Sequence, residues 1–452
     1  MKKVTTLILA LILVLSASFS SALAYEDSYF DQAALMEEAQ KRVEETGEKI
    51  TLKFWFNLGG KNMDIIAEIT NRFNESQDIF EVQSEFAGGY NDCLLKYLSS
   101  PTNERPDILH MNAIGYQKIL DDGKIIPIQE YADAGIVDLT QFFTCANEIT
   151  TYDGVTYGIP LNLTTLGVIY NVDYFEQAGI DASEIKTVAD YLEASQKIVE
   201  AGICDYGGCL VPTCEQMSMY LYTMGVQLGE VGDEGYVTRI CADDDGVLTS
   251  MLEDLKIINT DPAMYYSNGN ASARSMFVSG ALASYCATVG NYGVAKTESA
   301  GAFEISILPM LFWDDSIDTI PYALGGIMNI VDNGDPVKAL GCALFEVFYN
   351  SPENQYYNCT ISGYIPFNYG IYELPEYMEY FEANPNFKAV LDFASEGRGG
   401  SQIFGSLDST QSIIDANFSK MIADPDYTGA DCAADSIKEI DELIQLYNES
   451  NY

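Results

Sequence analysis

Between Thr51 and Met111 the chain alternates strand-like and helix-like segments, and this alternation constrains its fold more than any other feature. Thr51-Leu-Lys-Phe-Trp-Phe56 is rich in aromatic residues and reads as a strand, broken by Gly59-Gly60. Met63 to Phe73 follows, with Ile65, Ile69 and Phe73 at i, i+4 and i+8 on one helical face. Ile79 to Phe86 alternates, with Phe80, Val82 and Phe86 singled out as the apolar positions of a strand. A helix through Leu94–Leu98 precedes Pro106-Asp-Ile-Leu-His-Met111, which reads as a buried strand. Strand, helix, strand, helix, strand within about 60 residues predicts a parallel α/β unit, since parallel neighbours need a crossover that a helix fills.

A second series starts after Pro160. Gly167-Val-Ile-Tyr170 is a strand, and Thr187 with Asp190 resembles a capping box that opens a helix through Tyr191, Ser195 and Ile198. Phe277 to Tyr285 carries a helix end, a glycine and a strand, and Phe303 to Met310 is another strand. Asp335-Pro336 and Ser351-Pro352 each supply an N-cap followed by proline at the first helical position. Ile437, Ile440, Ile444 and Tyr447 share one face of the last clear helix. Ahead of all this, residues 25–49 are acidic and read as a lone surface helix over Gln32–Glu45. A chain of 452 residues is long enough for two or three compact units.

The first residues read as an address. Met1-Lys2-Lys3 is basic, Val4 to Leu15 is mostly apolar, and Ala22-Leu23-Ala24 gives a small-residue exit, so residues 1–24 are expected to be a secretory signal peptide. The apolar run is short for a membrane span. No cysteine precedes Cys93, which argues against a lipid anchored through an N-terminal cysteine. The expected product is exported, periplasmic or extracellular, and soluble. Its ten cysteines are scattered; only Cys204, Cys209 and Cys214 cluster, at a spacing that fits a local disulfide or free thiols better than zinc.

Charge narrows the function. The formal balance is −44, and the leader holds two lysines and no acid, so removing it leaves −46. Such a chain is poorly suited to nucleic acid or anionic lipid, both of which need Lys and Arg. With one histidine, His110, triads and histidine metal clusters are disfavoured. Asp243-Asp-Asp-Gly246 reads as a solvated turn, because calcium loops place acids at alternate positions. No cofactor or metal is expected.

The order of motifs resembles family 1 extracellular solute-binding proteins, the sugar-binding receptors of ABC importers. The likeness runs from about residue 50 to the end. It rests on Ile50-Thr-Leu-Lys-Phe-Trp55, Gly88-Gly-Tyr90 with Asp92, Arg105-Pro-Asp107 and Asp153-Gly-Val-Thr-Tyr-Gly-Ile-Pro160. Ile169-Tyr-Asn171, the Phe277-x-x-Gly280 segment, Gly325-Gly326, Ser351-Pro-Glu353 and Ser362-Gly-Tyr364-Ile-Pro366 continue it. The resemblance implies a type II periplasmic-binding-protein fold, two α/β lobes joined by a multi-strand hinge. Crossings would fall near Pro160, Ile320–Ala323 and Asn368. The implied lobes are residues 50–162 with 322–368, and 163–321 with 369–452, after an N-terminal helical extension at 25–49. Ligand would sit between lobes that close on it, and a membrane permease would take delivery from a monomeric receptor.

Within the family the chain looks toward the glycerol-3-phosphate- and oligosaccharide-binding branch. That pattern marks Tyr90, Thr164, Gly326 and Tyr364 as ligand-contacting positions. It also departs from it: Asn112 or Ala113 stands where relatives carry an acid, and Ile403-Phe404 falls where they carry a phosphate-facing Arg. A phosphate needs cationic donors, so a neutral sugar or oligosaccharide is the expected ligand. Aromatic plates cover sugar rings, and amides and hydroxyls take the hydroxyl groups. On that chemistry the candidates are Trp55, Tyr90, Asn112, Asn162, Thr164, Tyr285, Gly325, Gly326 and Tyr364, with Asn291 behind them; His110 reads as core or cleft wall. Alternatives are a polyol-phosphate receptor, a ligand sensor for a membrane kinase, or a secreted glycosidase using two carboxylates.

Overall fold

The computed structural model describes residues 27–452, apart from 233–235, 268, 314–320 and 401. The expected signal peptide at 1–24 lies outside the described residues. The first α/β unit forms as the alternation predicts. β1 (Ile50–Phe56), β2 (Phe80–Phe86) and β3 (Ile108–Met111) pair in parallel, with β1 in the middle. Period-two alternation divides β1 between two cores. Phe54 and Phe56 join one core, where Phe345 lies 5.8 Å from Phe54 and 5.2 Å from Phe73. Trp55 joins the other, with Leu109, Tyr97 and Leu94.

The segment read as a lone helix, α1 (Gln32–Thr46), is docked on the body. Leu35 and Ala39 are buried in the main core, and Arg42 Nη1 lies 2.8 Å from Asp335 Oδ2. The ion pair supplements this sparse apolar face. α2 (Lys61–Ser76) and α3 (Tyr90–Ser99) are the crossover helices of the unit, and α4 (Ala113–Asp121) follows β3.

Among the described residues, seven strands make the larger sheet, completed by β4 (Gly158–Thr164) and the long β8 (Tyr322–Val331). β8 runs antiparallel to both β3 and β4. A three-stranded antiparallel sheet holds β5 (Leu166–Asn171) between β6 (Ser284–Thr288) and β7 (Ile305–Pro309). Helices α5 (Val188–Glu200), α6 (Cys214–Thr223) and α7 (Gly290–Glu298) surround this sheet to form a second lobe, the first two in its own core and α7 packing on β6 and β7 with Tyr292 and Ala295 in the main core. The expected capping box is present, with Thr187 accepting from Asp190 N–H and Asp190 accepting in return. α8 (Pro336–Tyr349) and α9 (Pro352–Ser362) return to the first lobe, both with proline in the first turn. α10 (Leu407–Ala423) and α11 (Gly429–Asn451) finish the second.

The chain changes sheets between Thr164, which pairs with Leu324 in the large sheet, and Leu166, which pairs with Thr288 in the small one. The boundary implied at 162 lies within β4. Thr165 Oγ1 donates to Tyr322 O at 2.8 Å, and Leu163 bridges Ile365, so the crossing segments lie side by side. Arg398–Gly399, expected in the second lobe, pairs in parallel with Tyr322–Ala323 and extends the large sheet. These adjacent segments carry the chain between the two sheets. No helix of the described residues is long and apolar enough to cross a membrane. All ten cysteines are free thiols.

Candidate functional site

A cavity of about 290 Å³ opens between the lobes. The first lobe contributes Asn91, Asn112, Tyr152 and Gly325; the second contributes Glu215, Tyr222, Gln402, Asp408 and Gln411. Its position follows from topology, since the large sheet's parallel strands all end on this side and leave their loops there. Local signals set the side chains. Asn112 caps α4, its Oδ1 accepting Ile114 N–H at 3.2 Å, and Thr213 caps α6, which puts Glu215 in the first helical turn.

The polar side chains of the lining are amides, phenols, small hydroxyls and two carboxylates, set among apolar residues such as Ile114, Ile149, Leu228, Leu324 and Leu407. Among the described residues it includes no Lys or Arg. The cation beside it, Lys118, is held by Asp408 at 2.7 Å. Arg398, four residues before Gln402, is tied to Glu148 at 2.8 Å and stands mostly in solvent. Glu215 is exposed to the cleft yet surrounded by protein, and that burial pushes its carboxyl above the ordinary range.

Tyr90 and Tyr364 are linked to this lining by charge, both feeling Glu215. Tyr90 opens α3, and burial holds its phenol well above its usual value, with the charges of Tyr364 and Glu215 adding to the effect. Burial pushes Tyr364 up to about 12, with Glu215 again contributing and Asn62 opposing by a hydrogen bond. The two tyrosines from the first lobe and its hinge therefore share an electrostatic neighbourhood with a carboxylate of the second. Tyr364 also leans on Gly290 at the start of α7, where an added Cβ would lie 2.8 Å from its ring.

Beneath them is a buried polar floor. Asn162 is 4% exposed, its Oδ1 has no partner, and with Tyr364 it borders two cavities of about 10 Å³ each, room for a single water. His110 is fully buried beside Asn162 and Tyr90, with 5.7 Å between the His110 and Tyr90 rings. Burial pushes its imidazole down to about 3, with Asn162 opposing the shift, so the ring is neutral at physiological pH. Gly326 exists for this ring: a Cβ there would stand 2.0 Å from His110 Nε2. Gly325 has a similar cause, with 2.2 Å to the Asn162 carbonyl oxygen.

Four sequence candidates do not face the cleft. Tyr285 is fully buried on β6 against Phe277, at 5.2 Å, inside the second lobe. Period two on β6 turned it into the lobe interior. Trp55 is 6% exposed, packed beneath α3, and capped by Lys96 Nζ at 3.8 Å from its ring centroid. Thr164 is buried at the sheet crossing, its hydroxyl 3.4 Å from the Thr165 carbonyl. Asn291 is occupied by Arg274 at 2.8 Å and by Thr288. The acidic turn is also engaged internally: Asp243 accepts from the Thr249 N–H and hydroxyl, both at 2.7 Å.

Sequence reasoning missed Glu215, Tyr222, Gln402, Asp408 and Gln411. Thr213 as a cap was a visible helix start, but nothing local says that α6 points into a cleft. Gln402 and Asp408 are drawn in by contacts with distant segments; Gln402 Nε2 donates to Gly229 O at 2.7 Å, and Asp408 reaches Lys118.

The sequence profile described as bacterial extracellular solute-binding protein matches residues 68–389. The sn-glycerol-3-phosphate-binding periplasmic protein UgpB of Rhizobium meliloti is 25% identical over 355 residues, 75% of this chain and 80% of that one. A cyclic α-maltosyl-1,6-maltose binding protein from Arthrobacter globiformis superposes with a TM-score of 0.70 at 16% identity, covering 88% of this chain and 99% of that one. UgpB from Mycobacterium tuberculosis, solved with glycerophosphocholine, superposes at 0.71 and 16% identity, covering 88% and 98%.

Proposed function

This chain belongs to the bacterial extracellular solute-binding proteins, the substrate-binding components that serve ABC importers, and from that premise we propose that its cleft takes an uncharged saccharide. The family binds its substrates and leaves the chemistry unchanged. The observation that carries the ligand reading is the cavity lining, with Glu215 and Asp408 present and Lys and Arg absent among the described residues. A phosphate brought there would lose water and gain no cation. A sugar gains acceptors for its hydroxyls from Glu215, Asp408, Asn112 and Gln402, and ring faces from Tyr152 and Tyr222.

The receptor acts as an exported monomer. Ligand touching Asn112 and Gly325 on one lobe and Glu215 and Gln402 on the other favours the closed form, because only closure brings both sets together. The permease then receives the closed shape. The second reading is a polyol phosphate, which the likeness to glycerol-3-phosphate-binding relatives favours. Calorimetry with maltotriose, glycerol 3-phosphate and glycerophosphocholine decides between them. Saccharide binding with no response to glycerol 3-phosphate is the expected result. Tight glycerol 3-phosphate binding without saccharide binding overturns the proposal.

A further inference from the structure

Asp408 stands where the cleft and the lobe boundary coincide. It lies in the first turn of α10, in the second lobe, and lines the cavity. Its Oδ2 receives Lys118 Nζ from α4 in the first lobe at 2.7 Å. Its Oδ1 is buried and has no hydrogen-bond partner. The pair is shielded, with Lys118 24% and Asp408 21% exposed, so screening by water is incomplete. One carboxylate thus holds the opposite lobe with one oxygen and leaves the other unsatisfied at the cavity wall.

The same face of α4 makes the next interlobe contacts. Asp121, three residues beyond Lys118, accepts from Tyr447 Oη at 2.6 Å and from Tyr452 Oη at 2.9 Å, both on α11 or just past it. Gln117 Nε2 also donates to Tyr452 Oη at 3.0 Å. Tyr452 is fixed in turn by stacking on Tyr236 at 4.2 Å. These contacts lie beside the cavity, since α4 and α10 begin in its wall with Ala113, Ile114, Leu407 and Asp408. They can form only when the lobes are together.

We propose that Asp408 couples ligand recognition to lobe closure: Oδ2 latches onto Lys118 while Oδ1 accepts a ligand hydroxyl. The ligand half rests on the saccharide reading above; the latch half does not. A hydroxyl on Oδ1 satisfies the orphan acceptor only where Asp408 is fixed by Lys118, so occupancy favours the latched state.

The test uses the full exported chain with Lys118→Met, Asp408→Asn and wild type. Small-angle scattering without ligand reads the latch. Both variants are expected to show a larger radius of gyration than wild type, with unchanged far-UV circular dichroism showing that they are folded. Calorimetry with maltotriose reads the second half. Asp408→Asn is expected to weaken binding by about tenfold or more, as for a hydrogen bond to a charged group, and by more than Lys118→Met, which keeps Oδ1. Scattering identical to wild type in both variants overturns the latch, whatever the ligand. Equal losses in the two variants overturn the role of Oδ1. Should wild type itself bind no saccharide, the saccharide reading and the Oδ1 role fall with it, while the latch is still judged by scattering.

Discussion

Replacing Gly326 with alanine tests the floor of the cleft directly. The new Cβ would lie 2.0 Å from His110 Nε2, 2.9 Å from Cε1 and 3.0 Å from Cδ2. Ordinary carbon contacts sit near 3.5–4 Å, so the ring must move by more than a bond length. It has little room, being fully buried with the Tyr90 ring 5.7 Å away. The backbone offers little relief either, because β8 is hydrogen-bonded to β4 on one side and β3 on the other, with a register shift already at Gly326/Ile327. Overpacking of this kind costs about 1–3 kcal/mol, and the fixed ladder puts Gly326→Ala at the upper end. Urea unfolding followed by circular dichroism measures it. The clash has a named partner, so His110→Ala in the Gly326→Ala background should restore part of the loss, giving a coupling of about 1 kcal/mol or more. An unchanged midpoint for Gly326→Ala, or strictly additive single and double variants, would refute the close packing of Gly326 on His110.

Tyr90→Ala and Tyr364→Ala should each weaken saccharide binding by about 1–3 kcal/mol while the chain stays folded; calorimetry on folded protein checks this, and unchanged affinity removes both from the site. Glu346 on α8 is fully buried, its Oε2 accepting Ile159 N–H at 3.1 Å, and burial holds its carboxyl well above the ordinary 4.5. The folded state therefore keeps a proton that the unfolded state releases, so this group's contribution to stability falls as pH rises above about 4.5 until its folded value is passed. Glu346→Gln should flatten that decline in urea midpoints measured between acid and neutral pH; an identical slope in both proteins contradicts it.

Much of the architecture was legible because it is written locally. Ile65, Ile69 and Phe73 mark a helical face, Thr187 with Asp190 marks a helix start, and aromatic alternation marks β1. The candidate site was legible only where a residue sits at an element's end on the cleft side. Asn112 as a cap and Gly325 on the long crossing strand line the cavity, and the phenols of Tyr90 and Tyr364 feel the charge of Glu215 in its lining. Trp55 and Tyr285 have the right chemistry, but strand alternation turned each toward a lobe core. An aromatic residue is equally at home in a core and on a sugar, so composition cannot separate the two uses.

The sequence by itself determined that this is a two-lobed α/β receptor. Helix periods, caps and strand alternation depend on neighbours within a few residues, and the order of motifs then selects one topology. Which face Trp55 presents, why Gly326 must lack a side chain, and that Asp408 meets Lys118 across 290 positions were decided by tertiary structure alone. Those facts depend on segments distant in the chain arriving at one place, and the absence of a free Lys or Arg among the described residues lining the cleft is of the same kind. Its acids are counted in the sequence, but only folding decides that Lys118 is spent on Asp408 and Arg398 on Glu148.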